Sequence, residues 1–198
     1  AMWQSEIEAK FKADVDRLRS AFRQASRVEI ERRFLLSGLP EFGPNLKLKA
    51  VKIEQGYLPG DSIIERVRRV RSEGVTQHFR TLKVGKGAVR HEFEDVISTK
   101  LFRGLYALTA GARILKTRHQ VMDPETPGFV WEIDVFGDRP LVLAEIELDS
   151  GAPCDLPLWL EPWVVSEVTD DGRFTNASLA RSRGIPKLQG PKNAKRRR

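Results

Sequence analysis

Hydrophobic and polar positions change period once along this chain. Over residues 3–25, apolar side chains recur every three or four positions, at Ile7, Phe11, Val15, Leu18 and Phe22, with charges between them. That is the pattern of an amphipathic helix. It predicts an N-terminal helical segment, residues 1–26, packed on the rest of the chain or on a second copy in a homodimer. From Val28 the period becomes two, and strands are predicted over 27–36, 47–58, 61–71, 76–84, 88–97, 112–121, 129–136 and 141–148. Breaks fall at Pro59-Gly60-Asp61, Glu73-Gly74, Gly85-Lys86-Gly87, Pro124/Pro127/Gly128 and Gly137-Asp138. Short loops favour antiparallel neighbours. Residues 98–109 read as a short helix with Leu101, Leu105 and Leu108 on one side, and 174–181 as a last one. After residue 150 the alternation stops at Pro153, Pro157 and Pro162, which leaves Leu156, Leu158, Trp159, Leu160 and Trp163 to cover the sheet. No internal repeat and no second domain is visible, so residues 27–182 are read as one unit.

The polar half of the alternation carries most of the information. Charges double on one strand face at Glu29/Glu31/Arg33, Arg66/Arg68, Arg90/Glu92/Glu94, Lys116/Arg118, Glu132/Asp134 and Glu145/Glu147, and Thr81/Lys83 extends the series. Residues i and i+2 of a strand share a face about 6.7 Å apart. One such strand is ordinary. Repetition along the chain, with both signs present and apolar residues between, points to a closed sheet with a charged lumen and a covered outer face. Buried charges are costly unless paired, wet or ligated, so this burden points to function.

Composition then narrows the classes. A chain of 198 residues with 40% hydrophobic content suits one globular domain. No apolar run reaches the length of a membrane helix, and no apolar leader is visible. Cys154 is the single cysteine, which excludes a disulfide framework and a cysteine metal cluster and favours a reducing cytoplasm. Of the net charge of +7, six cations lie in Lys187, Lys192 and 195–198, which leaves +1 for everything else. Residues 183–198 are therefore read as a basic tail, open to weak contact with nucleic acid or acidic surfaces. The three histidines are scattered without ligand spacing, Gly85-Lys86-Gly87 lacks the full phosphate-loop pattern, and Asn176-Ala177-Ser178 is an incidental sequon. Arg32, on the outer parity of its strand, is expected to pair with a covering helix.

The lumen inventory has a chemistry. Arginine presents a planar fork that matches phosphate oxygens, and lysine a compact charge. Carboxylates without partnering His or Cys suit hard cations such as Mg²⁺ or Mn²⁺. Phosphoryl transfer needs mainly positioning and charge stabilisation. The inventory therefore suits a small polyanion held with metal ions.

The residues also resemble a known family. Glu29-Ile30-Glu31-Arg32-Arg33 is similar to the E-x-E-x-K signature of the CYTH superfamily, the triphosphate tunnel metalloenzymes, with Arg33 replacing the usual lysine. The resemblance continues through Gln55-Gly56-Tyr57-Leu58, Arg66-Val67-Arg68, Thr81-Leu82-Lys83, Arg90-His91-Glu92-Phe93-Glu94, Lys116-Thr117-Arg118, Trp131-Glu132-Ile133-Asp134, Glu145-Ile146-Glu147 and Glu167-Val168-Thr169. The Gln-Gly-Tyr-Leu and Glu-Val-Thr segments most resemble the bacterial inorganic triphosphatase branch.

The resemblance implies a mainly β (α+β) fold, a closed eight-stranded antiparallel tunnel covered by a few helices. It implies divalent-metal-dependent hydrolysis of a triphosphate, first of all inorganic tripolyphosphate to pyrophosphate plus phosphate. Phosphate would be gripped by Arg33, Arg66, Arg68, Lys83, Arg90, Lys116 and Arg118, with Tyr57 approaching the substrate or merely packing at the rim. Metal would be held by Glu29, Glu31, Asp134, Glu145 and Glu147, and the implied catalytic residues are Glu29, Glu31, Lys83 and Arg90. Glu92, Glu94 and Glu132 either share that work or orient the cations. Within the family the alternatives are a class IV adenylate cyclase or a thiamine or nucleoside triphosphatase. Outside it stands a non-catalytic polyphosphate- or nucleic-acid-binding module, against which the lumen acids argue.

Overall fold

The computed structural model describes residues 30–60, 64–86, 89–148 and 155–188, and for residues 30, 84–86 and 89–91 the backbone alone. The expected N-terminal helix, Glu29, Cys154 and most of the basic tail lie outside the described residues. Among the described residues nine strands follow in chain order: β1 (Ile30–Leu36), β2 (Lys47–Tyr57), β3 (Ile64–Ser72), β4 (Val75–Lys86), β5 (Val89–Val96), β6 (Arg113–Met122), β7 (Trp131–Phe136), β8 (Val142–Leu148) and β9 (Val164–Glu167). Helix α1 (Thr99–Ala107) sits between β5 and β6, and α2 (Asn176–Arg181) follows β9. Eight strands match the period-two segments closely. The ninth was missed because it has only four residues and starts just after Pro162.

All neighbours are antiparallel, in the order β5-β4-β3-β2-β6-β7-β8-β1-β9. The β3–β4 hairpin turns through Glu73 and Gly74, both at positive φ (52° and 80°). That conformation suits a two-residue turn matched to strand twist. The expected eight-stranded closure differs in one respect: among the described residues the ladder is open between β5 and β9. The second edge of β1, which closure would need, is taken by β9. Arg32 clamps it with two hydrogen bonds to Glu167, of 3.0 and 2.9 Å. Among the described residues, Arg32 thus ties β1 to a strand. The sheet still curls, because residues of β1 through β8 line one cavity.

Two apolar clusters hold this curl. The first lies on the outer face of β1, β6, β7 and β8, where Phe34, Trp131, Ile133 and Ile146 are covered by Leu160, Trp159 and Trp163 as the proline-rich segment predicted, whereas Leu158, expected among them, is 80% exposed. The second lies inside one end of the curl. There the lumen face of the strands turns apolar, at Leu35, Tyr57, Ile114, Phe136 and Leu143. It packs on Val168, Phe174, Leu179 and Ala180. Helix α2 is therefore a stopper rather than an appendage.

Helix α1 docks differently from expectation. Ser98 caps it by accepting from the Leu101 N–H at 3.2 Å. Its buried anchor is Phe102, against the rings of His78 and Tyr106, at 4.7 and 5.1 Å. Leu101 and Leu108 are exposed. At Gly56 a Cβ would come within 2.2 Å of the Thr109 hydroxyl, so only glycine admits the close approach there. Among the described residues no helix is long and apolar enough to cross a membrane.

Candidate active site

The lumen is a cavity of about 670 Å³. Arg33, Arg66, Arg68, Lys83, Lys116 and Arg118 all line it, with Tyr57, Glu31, Glu92, Glu94, Glu132, Glu145 and Glu147. Asp134 is buried behind Lys116 and Arg118 and hydrogen-bonds to both. Strand parity brings these residues together, since each strand turns alternate side chains inward. Arg90 lies on β5 opposite Gly85 in register, and its side chain lies outside the described atoms.

The wall formed by β1, β6, β7 and β8 is a continuous ion network, buried at Arg33, Glu145, Lys116 and Asp134 and open to solvent at Glu31. Arg33 donates from Nε to Glu145 at 2.7 Å and from Nη2 to Glu31 at 2.5 Å. Arg118 donates to both oxygens of Asp134 at 2.7 Å, to Glu145 at 3.1 Å, and pairs with Glu132. Lys116 pairs with Asp134 and donates to Asn176 Oδ1 at 3.2 Å. Burial favours the neutral carboxyl at Asp134, but Lys116 and Arg118 outweigh it and lower its pKa from 3.8 to about 2. Glu145 is lowered too: burial and Asp134 raise it, and Lys116, Arg33 and Arg118 overcome them. Glu31 goes the other way, raised by burial and by the neighbouring Glu145 charge. Burial and Arg118 together push Lys116 down.

The wall formed by β3, β4 and β5 is wetter. Arg66 donates to Glu92 at 3.0 Å and, from Nε, to the Thr81 hydroxyl at 3.2 Å. Arg68 donates to both oxygens of Glu94, at 2.8 and 2.9 Å, and Lys83 pairs with Glu92 at 2.5 Å. Thr81 donates to Glu94 at 2.6 Å. Burial and the adjacent Arg66 lower the Arg68 pKa. Burial raises Glu92, but Arg66 and Lys83 win and hold it low. Glu92 and Glu94 are thus both paired with lumen cations.

A recess of about 290 Å³ opens beside the first wall, lined by Glu31, Glu132, Glu145 and Glu147 with Gln120. Glu31 and Glu147 face each other across β1 and β8, and Glu132 faces Glu145 across β7 and β8. Four oxygen donors without His or Cys are the donor chemistry that Mg²⁺ or Mn²⁺ takes. Among the described residues no three carboxylates, histidines or cysteines are grouped tightly enough to hold an ion as they stand. The donor set fits such an ion, with side-chain adjustment.

Several lining residues were not singled out by the charge pattern. Gln55 is buried and donates to the Tyr57 hydroxyl at 3.1 Å, and burial pushes the Tyr57 phenol up. The Glu-Val-Thr segment positions Arg33: the Thr169 hydroxyl accepts from the Arg33 N–H at 3.1 Å and donates to Glu167 at 2.7 Å. From α2 come Asn176, Ser178 and Arg181. Asn176 and Ser178 were visible only as a sequon, and no periodicity ties residue 181 to the lumen.

No protein-family model matches the chain. Over 160 residues it is 39% identical to an inorganic triphosphatase of Nitrosomonas europaea, which covers 78% of this chain and 97% of that protein. A crystal structure of an inorganic triphosphatase superposes with a TM-score of 0.57 at 38% identity, over 80% of this chain and 97% of the other. A second solved structure, described as a hypothetical protein, gives the same TM-score of 0.57 at 38% identity, over 80% and 99%.

Proposed function

We propose that this chain, which belongs to the inorganic triphosphatase branch of the triphosphate tunnel metalloenzyme (CYTH) superfamily, hydrolyses inorganic tripolyphosphate to pyrophosphate and phosphate. The observation that carries the reading is one lumen in which paired cations and a separate carboxylate recess share the same walls. A linear polyphosphate needs both. Arg66, Arg68, Lys83, Arg33, Lys116 and Arg118, with Arg90, would take its oxygens in charge-assisted bonds. Water adds to a terminal phosphorus, the anhydride P–O bond breaks, and the lumen cations receive the charge of the departing pyrophosphate. Tyr57 is too buried to move far and would border the substrate.

Mg²⁺ or Mn²⁺ would be held by Glu31, Glu145 and Glu147, with Glu132 in the same recess and Glu29, two positions ahead of Glu31 in the sequence, as a further candidate. When bound, such an ion neutralises phosphate charge and lowers the pKa of a coordinated water. Glu29 and Glu31 would orient the attacking water, and Lys83, which shares Glu92 with Arg66, would with Arg90 take the charge of the leaving pyrophosphate at the other end. Asp134, unlike Glu145, does not line the carboxylate recess, and both its oxygens face Lys116 and Arg118. We therefore read it as the residue that holds those two cations in place, more than as a ligand.

Residues 27–182 would form the catalytic unit, with 1–26 and 183–198 outside it. A hard-oxygen metal set and a single cysteine suit the cytoplasm. The test is phosphate release from tripolyphosphate, ATP, thiamine triphosphate and pyrophosphate, each with Mg²⁺, Mn²⁺ or EDTA. Tripolyphosphate should give the highest kcat/KM, and EDTA should abolish turnover. Preference for ATP, or cyclic AMP as product, would move the chain to the nucleotide branch. No turnover of any of them would leave the binding-module reading.

A further inference from the structure

Every described lysine and arginine of the sheet that lines the lumen is paired with a carboxylate: Arg33 with Glu31 and Glu145, Arg66 with Glu92, Arg68 with Glu94, Lys83 with Glu92, Lys116 with Asp134, Arg118 with Glu132. One lumen cation comes from outside the sheet. Arg181, at the end of α2, lines the same cavity. Among the described residues it makes no ion pair. Its one hydrogen bond runs to the Ala177 carbonyl of its own helix, at 3.1 Å. Its guanidinium carbon lies 5.8 Å from the centre of the Tyr57 ring, and Tyr57 stands directly across the β2–β3 ladder from Arg66. Arg181 is thus placed at the Arg66 end of the lumen, away from the carboxylate recess.

The helix that carries it is fixed. Leu179 and Ala180 are buried in the apolar stopper, and Asn176 is tied to Lys116. The arginine itself is exposed. A cation held at the mouth by a rigid stem, with no carboxylate to displace, is poised for an anion. An incoming phosphate must compete with Glu92 and Glu94 for Arg66 and Arg68, but meets no such competitor at Arg181.

We infer that Arg181 contacts the phosphate of a linear polyphosphate that lies farthest from the carboxylate recess, beside Arg66, and so helps the lumen select a chain of three phosphates over two. This rests on the triphosphatase reading. Loss of one charge-assisted contact predicts that Arg181→Ala raises the KM for tripolyphosphate about tenfold, with kcat within about twofold because the contact is far from the reacting phosphorus. Arg181→Lys should recover part of the loss. Alanine suits an exposed helical position, so the melting temperature of the ligand-free protein should hold.

A second readout needs no turnover. In EDTA, tripolyphosphate should raise the melting temperature of the wild type more than that of Arg181→Ala, while the smaller shift given by pyrophosphate should be equal in both. Equal tripolyphosphate shifts and an unchanged KM would overturn the inference. A fall in kcat at constant KM, or a lowered melting temperature that Arg181→Lys restores without restoring KM, would reassign Arg181 to a structural role. If the wild type fails to turn over tripolyphosphate, the triphosphatase reading falls, and the melting shifts still decide whether Arg181 grips the anion.

Discussion

The two walls of the lumen carry the same residue types and differ in depth. On β1, β6, β7 and β8, the side chains of Asp134, Glu145, Arg33 and Lys116 are all under 8% exposed. On β3, β4 and β5, the corresponding exposures are 14% for Arg66, 18% for Arg68 and about 30% for Lys83 and Glu92. Depth changes what a charge is for. Breaking a buried pair leaves an uncompensated charge, whereas a half-wet pair opens at little cost. The deep wall is therefore a fixed electrostatic frame beside the carboxylate recess. The shallow wall is a set of exchangeable cations. Catalysis by preorganised charge needs the first, and binding and release of a polyanion need the second.

The largest effect should come from the deep wall. Glu145→Gln keeps the shape but removes the charge shared by Arg33 and Arg118, and kcat/KM for tripolyphosphate should fall on the order of 10²–10³-fold. Steady-state kinetics at saturating Mg²⁺ and Mn²⁺ check this, and near-normal turnover would break the distinction between the walls. On the shallow wall, Arg66→Ala or Arg68→Ala should cost about 10–100-fold, mainly in KM, with little change in melting temperature. If either variant unfolds the protein instead, the shallow wall is structural as well.

Asp134 sharpens the comparison through pH. Its pKa is lowered from 3.8 to about 2 by Lys116 and Arg118 against the opposing effect of burial. A depressed carboxyl stabilises the fold above its unfolded pKa and loses that contribution as pH falls through the folded value. Asp134→Asn should therefore cost about 2 kcal/mol at pH 7. The gap from wild type should narrow between about pH 4 and 2, as followed by denaturant melts across that range. A constant gap would mean that packing, not charge, explains the loss. The smallest effect belongs to the tail: deletion of 187–198 should leave tripolyphosphate kinetics unchanged, and lost activity in a folded protein would place the tail at the lumen.

How much of this was legible in the sequence follows from periodicity. The strands were readable because each has one apolar and one charged face, and a period of two fixes which charges meet. The lumen at Arg33, Arg66, Lys116 and Glu145 followed from parity alone. The seam was not readable, because whether β1 pairs with a short ninth strand depends on Arg32 meeting Glu167, 135 residues away. The α1 anchor was misread because a helix of nine residues offers more than one apolar face. Tertiary packing of the Phe102 ring against His78 decides which face is used. Arg181 was hidden because α2 enters the lumen through tertiary docking of Phe174 and Leu179.

The division between the walls is tested most directly by Mn²⁺ binding, followed by electron paramagnetic resonance on the wild type, Glu145→Gln and Arg66→Ala. The account predicts Mn²⁺ binding to the wild type, at least a tenfold weaker site in Glu145→Gln, and wild-type affinity in Arg66→Ala. Equal affinity in all three, or a loss confined to Arg66→Ala, would contradict it.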